Sequence, residues 1–214
     1  MAPQDRERLI LDNALRFFAE HGLSGETREL ARRLGVTQSL IYRYFPSKDV
    51  LIDRVYEKWL VEYWNPRWPS WITDRRQSLE NRLLAFYRDY ARMQHNYEWV
   101  RLFAYSGMDG LPYHARFVAR NRALLFPLIA QELRYDHGMP SFDEIPLTEF
   151  EHEQIWAMHA TLFHLGQRHW LFGLSGPTDV DGVMATRVRS FVTAGPPQIA
   201  AHLAALRAKR LASG

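Results

Sequence analysis

Between Glu26 and Leu51 the chain reads ETRELARRLGVTQSLIYRYFPSKDVL, and its apolar positions recur at the spacing of short amphipathic helices. Leu30, Ala31 and Leu34 fall on one face, with Arg28, Arg32 and Arg33 on the other. Gly35 follows the last apolar residue and supplies a left-handed cap. Val36 plugs the turn, and Thr37 is placed to cap a helix over Gln38–Phe45 through its hydroxyl. In that second helix Ile41 and Phe45, four apart, share an inward face with Tyr44, so Gln38, Ser39, Tyr42 and Arg43 project outward. An amphipathic run, RERLILDNALRFFAEHG, precedes this pair. After Pro46 a third helix begins, capped by Ser47, with Val50, Leu51, Val55, Trp59 and Tyr63 as its buried stripe.

Proline and glycine punctuate the remainder into further helices. NPRWPSWITD, with two prolines and two tryptophans, reads as an ordered connector, and Asp74 opens a helix to about Gln94. Helices are then expected near Glu98 to Ser106, Pro112 to Tyr135, Thr148 to Gly173, Asp179 to Ala194 and Pro197 to Leu211, with an exposed connection from His137 to Pro146. Neither an internal repeat nor a low-complexity tract interrupts the series. The fold class is therefore all-α. Residues 1–50 form a helix-turn-helix domain and residues 51–214 a larger helical bundle, with the helix after Ser47 as the hinge between them.

The outward residues of the second helix have the chemistry a major groove requires. Gln38 can pair bidentately with adenine, and Arg43 reaches guanine or a phosphate. Tyr42 and Lys48 are placed as phosphate anchors, Ser39 admits close approach, and Leu40 meets a thymine methyl or packs on its neighbours. From Arg28 to Lys48 the only acid is Glu29, and the whole chain carries a formal charge of +3, which favours a polyanionic partner. With no cysteine there is no disulfide framework, thiolate metal site or cysteine nucleophile. The first residues lack an apolar signal core, and no stretch approaches ~18 uninterrupted apolar residues. A cytoplasmic protein with no membrane partner is expected.

HG followed by TRELARRLGVTQSLIYRYFPSKDVL resembles the amino-terminal domain of the tetracycline-repressor (TetR) family, over roughly the first sixty residues. The resemblance implies an all-helical, dimeric transcription regulator whose helices from about Lys48 onward bind a ligand and dimerise. The candidate operator contacts are then Thr27, Arg28, Thr37, Gln38, Ser39, Leu40, Tyr42, Arg43 and Lys48. Two departures stand out. The loop between Gly22 and Ala31 is a residue shorter than usual, with Glu26 where a hydroxyl residue is common, and Leu40 occupies a position that is often small or hydroxylated.

Beyond the reading head the chain is rich in aromatics at helical spacing, the usual filling of a helical interior. Small-molecule sites between bundle helices are mostly apolar with a few polar groups. An apolar or aromatic effector is expected, with Met93, Trp99, Phe103, Phe117, Trp156 and His159 as wall residues. On a helical wheel His152 and His159 share a side of one helix, two turns or about 10 to 11 Å apart, too far for one metal without ligands from elsewhere. His95, His114 and Glu153 are the residues that would have to converge on them. No nucleophile motif, phosphate-cradling glycine loop or metal-hydrolase spacing is present, so no enzyme activity, catalytic residue or cofactor is expected. The reading is a ligand-responsive homodimer, a repressor, on a palindromic double-stranded DNA operator, released by a small molecule. A metal-responsive regulator using the helix histidines and a constitutive DNA-binding module are the alternatives.

Overall fold

In the computed structural model, which describes residues 2–212, the chain is helical throughout, with no strand among the described residues. It divides into two compact units, Met1–Asn65 with Asn96–Phe117, and Pro66–His95 with Val118–Gly214. The first unit holds α1 (Pro3–His21), α2 (Thr27–Leu34), α3 (Gln38–Tyr44), α4 (Lys48–Glu62) and α7 (Tyr97–Met108). The second holds α5 (Trp68–Ile72), α6 (Leu79–Gln94), α9 (Phe126–Asp136), α10 (Glu149–Trp170) and α11 (Val180–Ala212). The chain passes from one to the other within α8 (Tyr113–Leu124).

In the first unit α1 packs against α2, α4 and α7, and α2 against α3. Ile10, Ala14 and Phe18 of α1 meet Leu30, Ile41, Leu51 and Val55 in a core from which water is excluded. Local chemistry sets the ends of these helices. Gly35 takes the left-handed conformation at φ 63°, so its N–H reaches Arg32 O and the Val36 N–H reaches Ala31 O, satisfying the last carbonyls of α2. Thr37 Oγ1 accepts from Leu40 N–H at 3.3 Å, and Ser47 Oγ accepts from Val50 N–H at 3.1 Å, capping α3 and α4. The Arg101 guanidinium donates to the Ala19 carbonyl near the end of α1.

The second unit departs from the expected helix boundaries in three places. Helix α6 starts at Leu79 rather than Asp74, because Ser78 provides the cap while the Asp74 carboxylate accepts from Arg76 N–H in a turn of its own. The expected helix from Pro112 to Tyr135 is two, broken at Leu125, since Pro127 has no N–H for the Ala123 carbonyl and its ring crowds it. The helices expected on either side of Pro196 and Pro197 are instead one, α11. Gly195, lacking a Cβ, removes part of the clash that a proline imposes on the residue before it. The stripe Met184, Val188, Phe191, Val192, Ile199 and Leu203 then stays buried along one side of that helix.

Candidate functional site

Short caps and a buried Ile41 fix α3 so that its outer face is presented to solvent. Arg28, Thr37, Ser39, Tyr42 and Arg43 are exposed, and Gln38, Leu40 and Lys48 are half-buried. The arginines of α2 divide by role. Arg32 is bidentate to Glu29 at 2.7 and 2.8 Å, and Arg33 pairs with Glu20 at 2.6 Å. Hydrogen bonding from Arg32 holds the Glu29 carboxyl down at about 2. Arg28, Arg43 and Lys48 have no side-chain partner among the described residues, which leaves three uncommitted cations on this face. Thr27 differs from the other expected contacts, because it is only 4% exposed and its hydroxyl is engaged by Gln38 and Tyr42.

The six expected effector residues fall into two groups. Trp99, Phe103 and Phe117 lie in the first unit and close around Trp59 of α4, with ring centroids 5.5, 6.4 and 5.8 Å from its indole. Met93, Trp156 and His159 lie in the second unit. There His159 is enclosed by Phe86, Tyr87, Tyr90 and Phe126, with centroids 4.8 to 6.1 Å away, and Trp156 stands against Phe126. Tyr87 and His159 share a hydrogen bond of 3.0 Å through Nδ1, and burial pushes the imidazole down to about 3. Within the second unit, a cavity of about 530 Å³ lies along α5 and α6, and one of about 360 Å³ is lined by His95, His169 and Trp170. None of the six residues lines either cavity, because their rings are spent filling the interior.

Two positions that sequence reasoning took as ordinary core or passed over now carry buried polar atoms without a hydrogen-bond partner. They are Trp59 Nε1 in the first unit and Asn121 Oδ1 in the second, and His159 Nε2 joins them. Each costs about 1 to 3 kcal/mol in a folded chain. No spacing in the sequence marks them, since an orphaned atom is defined by neighbours distant along the chain. The histidines are dispersed: His114 belongs to the first unit, His95, His152 and His159 to the second. No group of three or more metal-binding side chains forms among the described residues. No helix among them is long and apolar enough to cross a membrane.

Residues 10–55 match the bacterial regulatory proteins of the tetR family. Over 92 residues the chain is 38% identical to the class A tetracycline repressor protein of Escherichia coli and 36% identical to the class C protein. Those residues are 39% of this chain, and the match spans 42% of each relative's length. Among solved structures, a TetR-like transcriptional regulator from a Rhodococcus species aligns with a TM-score of 0.66 at 16% identity, covering 91% of this chain and 97% of that one. A TetR family transcriptional regulator from Pseudomonas syringae aligns with a TM-score of 0.56 at 18% identity, covering 90% and 94%. Those identities speak to the fold, whereas the matched helix-turn-helix speaks to descent. By that reading head and the helical architecture it sits in, the chain belongs to the TetR family of transcriptional regulators.

Proposed function

We propose that the chain is a ligand-responsive homodimeric repressor that binds a two-fold symmetric operator and is released by a small apolar or aromatic molecule. The observation that carries the DNA reading is the outer face of the reading head, where Arg28, Arg43 and Lys48 stand uncommitted beside Gln38, Ser39, Leu40, Tyr42 and the capping Thr37. Uncommitted cations supply phosphate affinity, and the amide supplies a base-reading group. Dimerisation through α10 and α11 is supported by small exposed side chains on both, among them Ala157, Ala160, Ala201 and Ala204. A two-fold dimer presents two α3 helices to two half-sites.

The effector reading draws on the buried orphans amid aromatics, which a ligand with a matching polar group would satisfy. Within the first unit, α4 carries Lys48 at one end and Trp59 three turns along, so a ligand that shifts the Trp59 cluster also shifts the phosphate anchor. An effector preferring the shifted state weakens operator binding by the same factor that the operator weakens effector binding.

Selection from a pool of duplexes with a randomised centre tests the DNA reading. The wild type is expected to enrich a two-fold symmetric sequence. Lys48→Ala should then weaken binding to all duplexes and lower the slope of log K against log salt by about 0.9, whereas Gln38→Ala should relax discrimination at particular base pairs by about 1 to 3 kcal/mol. A wild type that enriches nothing would sink the proposal.

A further inference from the structure

A threonine at the first position of a helix that faces DNA is well placed to donate to a phosphate, yet Thr27 turns inward. The residue is 4% exposed, and its Oγ1 lies 2.7 Å from Gln38 Nε2 and 2.8 Å from the Tyr42 hydroxyl oxygen. We propose that Thr27 is a positioning residue of the operator contact: it holds the Gln38 amide in one orientation and sets the polarity of the Tyr42 hydroxyl, without itself touching DNA. The inference rests on the operator reading above.

The argument is one of donors and acceptors. A threonine hydroxyl has one proton and two lone pairs. One lone pair accepts from Gln38 Nε2, and the proton goes to the Tyr42 oxygen. Tyr42 is exposed and keeps its own O–H, which points the chain of bonds outward toward a phosphate. Gln38 has then spent one N–H and retains the other together with Oε1, which has no partner among the described residues. One donor and one acceptor match the N7 acceptor and N6–H donor of adenine, whereas guanine offers two acceptors on that edge. Turning the amide over would place Oε1 against Thr27, which would have to withdraw its proton from Tyr42. The buried hydroxyl therefore resists the flip that would let Gln38 accept guanine or thymine.

The test uses the operator selected on the wild type and its single-base variants, with binding measured for Thr27→Val, Thr27→Ser, Gln38→Ala, Tyr42→Phe and the double variant of Thr27→Val with Gln38→Ala. Thr27→Val should lose about five- to tenfold of the preference at the pair that Gln38→Ala also affects, with preference elsewhere unchanged. Thr27→Ser should retain it, and the double variant should be no less selective than Gln38→Ala alone. Tyr42→Phe, at an exposed position that leaves the core intact, should weaken binding to every duplex and also lower preference at the Gln38 pair. An equal loss on all sequences for Thr27→Val, or a uniform loss alone for Tyr42→Phe, overturns the proposal while leaving the operator reading intact. A wild type that selects no sequence overturns both.

Discussion

His159 illustrates what a single side chain contributes when four rings surround it. Burial holds its imidazole down at about 3, so it stays neutral in the folded chain, while the unfolded chain takes up a proton near the ordinary value of 6.5. The unfolded state therefore binds more protons between those two values. Stability from this residue is complete above pH 6.5 and is lost as pH falls toward 3, at no more than about 1.4 kcal/mol per pH unit. His95, lowered by burial and by His169, acts in the same direction. Urea unfolding at pH 7 and pH 5 should show the loss, and His159→Phe should reduce the difference between the two. An unchanged difference would assign the acid sensitivity to other groups. At this scale the outward identity of Gln38 and Arg43 was legible from helical spacing. The inward turn of Thr27 was not, because its partners Gln38 and Tyr42 lie 11 and 15 residues away on another helix.

Single helices were read well where a cap marks them. Gly35, Thr37 and Ser47 end or begin α2, α3 and α4 at the expected places, because capping is decided within four residues. Helix α10 begins the same way, with Thr148 and Glu151 in a capping box, but a tertiary contact reinforces it. Arg134 of α9 pairs with Glu151 at 2.6 and 2.7 Å, both side chains almost wholly buried, and donates to the carbonyls of Pro140, Ser141 and Ile145. The loop before α10 is thus tied to the helix that precedes it. Glu151→Gln would leave a buried guanidinium without its counter-charge and should cost about 3 to 5 kcal/mol. Glu149→Gln, which loosens only an exposed pair with Arg122, should cost under about 1 kcal/mol by the same denaturation midpoints. Comparable losses for the two would show that the buried pair is no stronger than a surface one. The α8–α9 break and the unbroken α11 were not read, because a proline sets a local preference and its surroundings decide whether the helix ends.

For the molecule as a whole, assembly is the property most open to test. Ala157→Glu places a charge on the exposed face of α10 and should convert a dimer into monomers on a sizing column, with far-ultraviolet circular dichroism unchanged. An unchanged elution volume would remove α10 from the interface. The sequence by itself determined the helical class, the helix-turn-helix with its capped ends, and the cationic outer face. Those properties depend on periodicity and on residues within a turn or two of one another. Only the tertiary structure decided that Trp99, Phe103 and Phe117 gather around Trp59 while Met93, Trp156 and His159 belong to the other unit, and that the histidines stay apart. Helical spacing says which side chains share a face of one helix, but which faces meet depends on how the chain returns on itself to bury them.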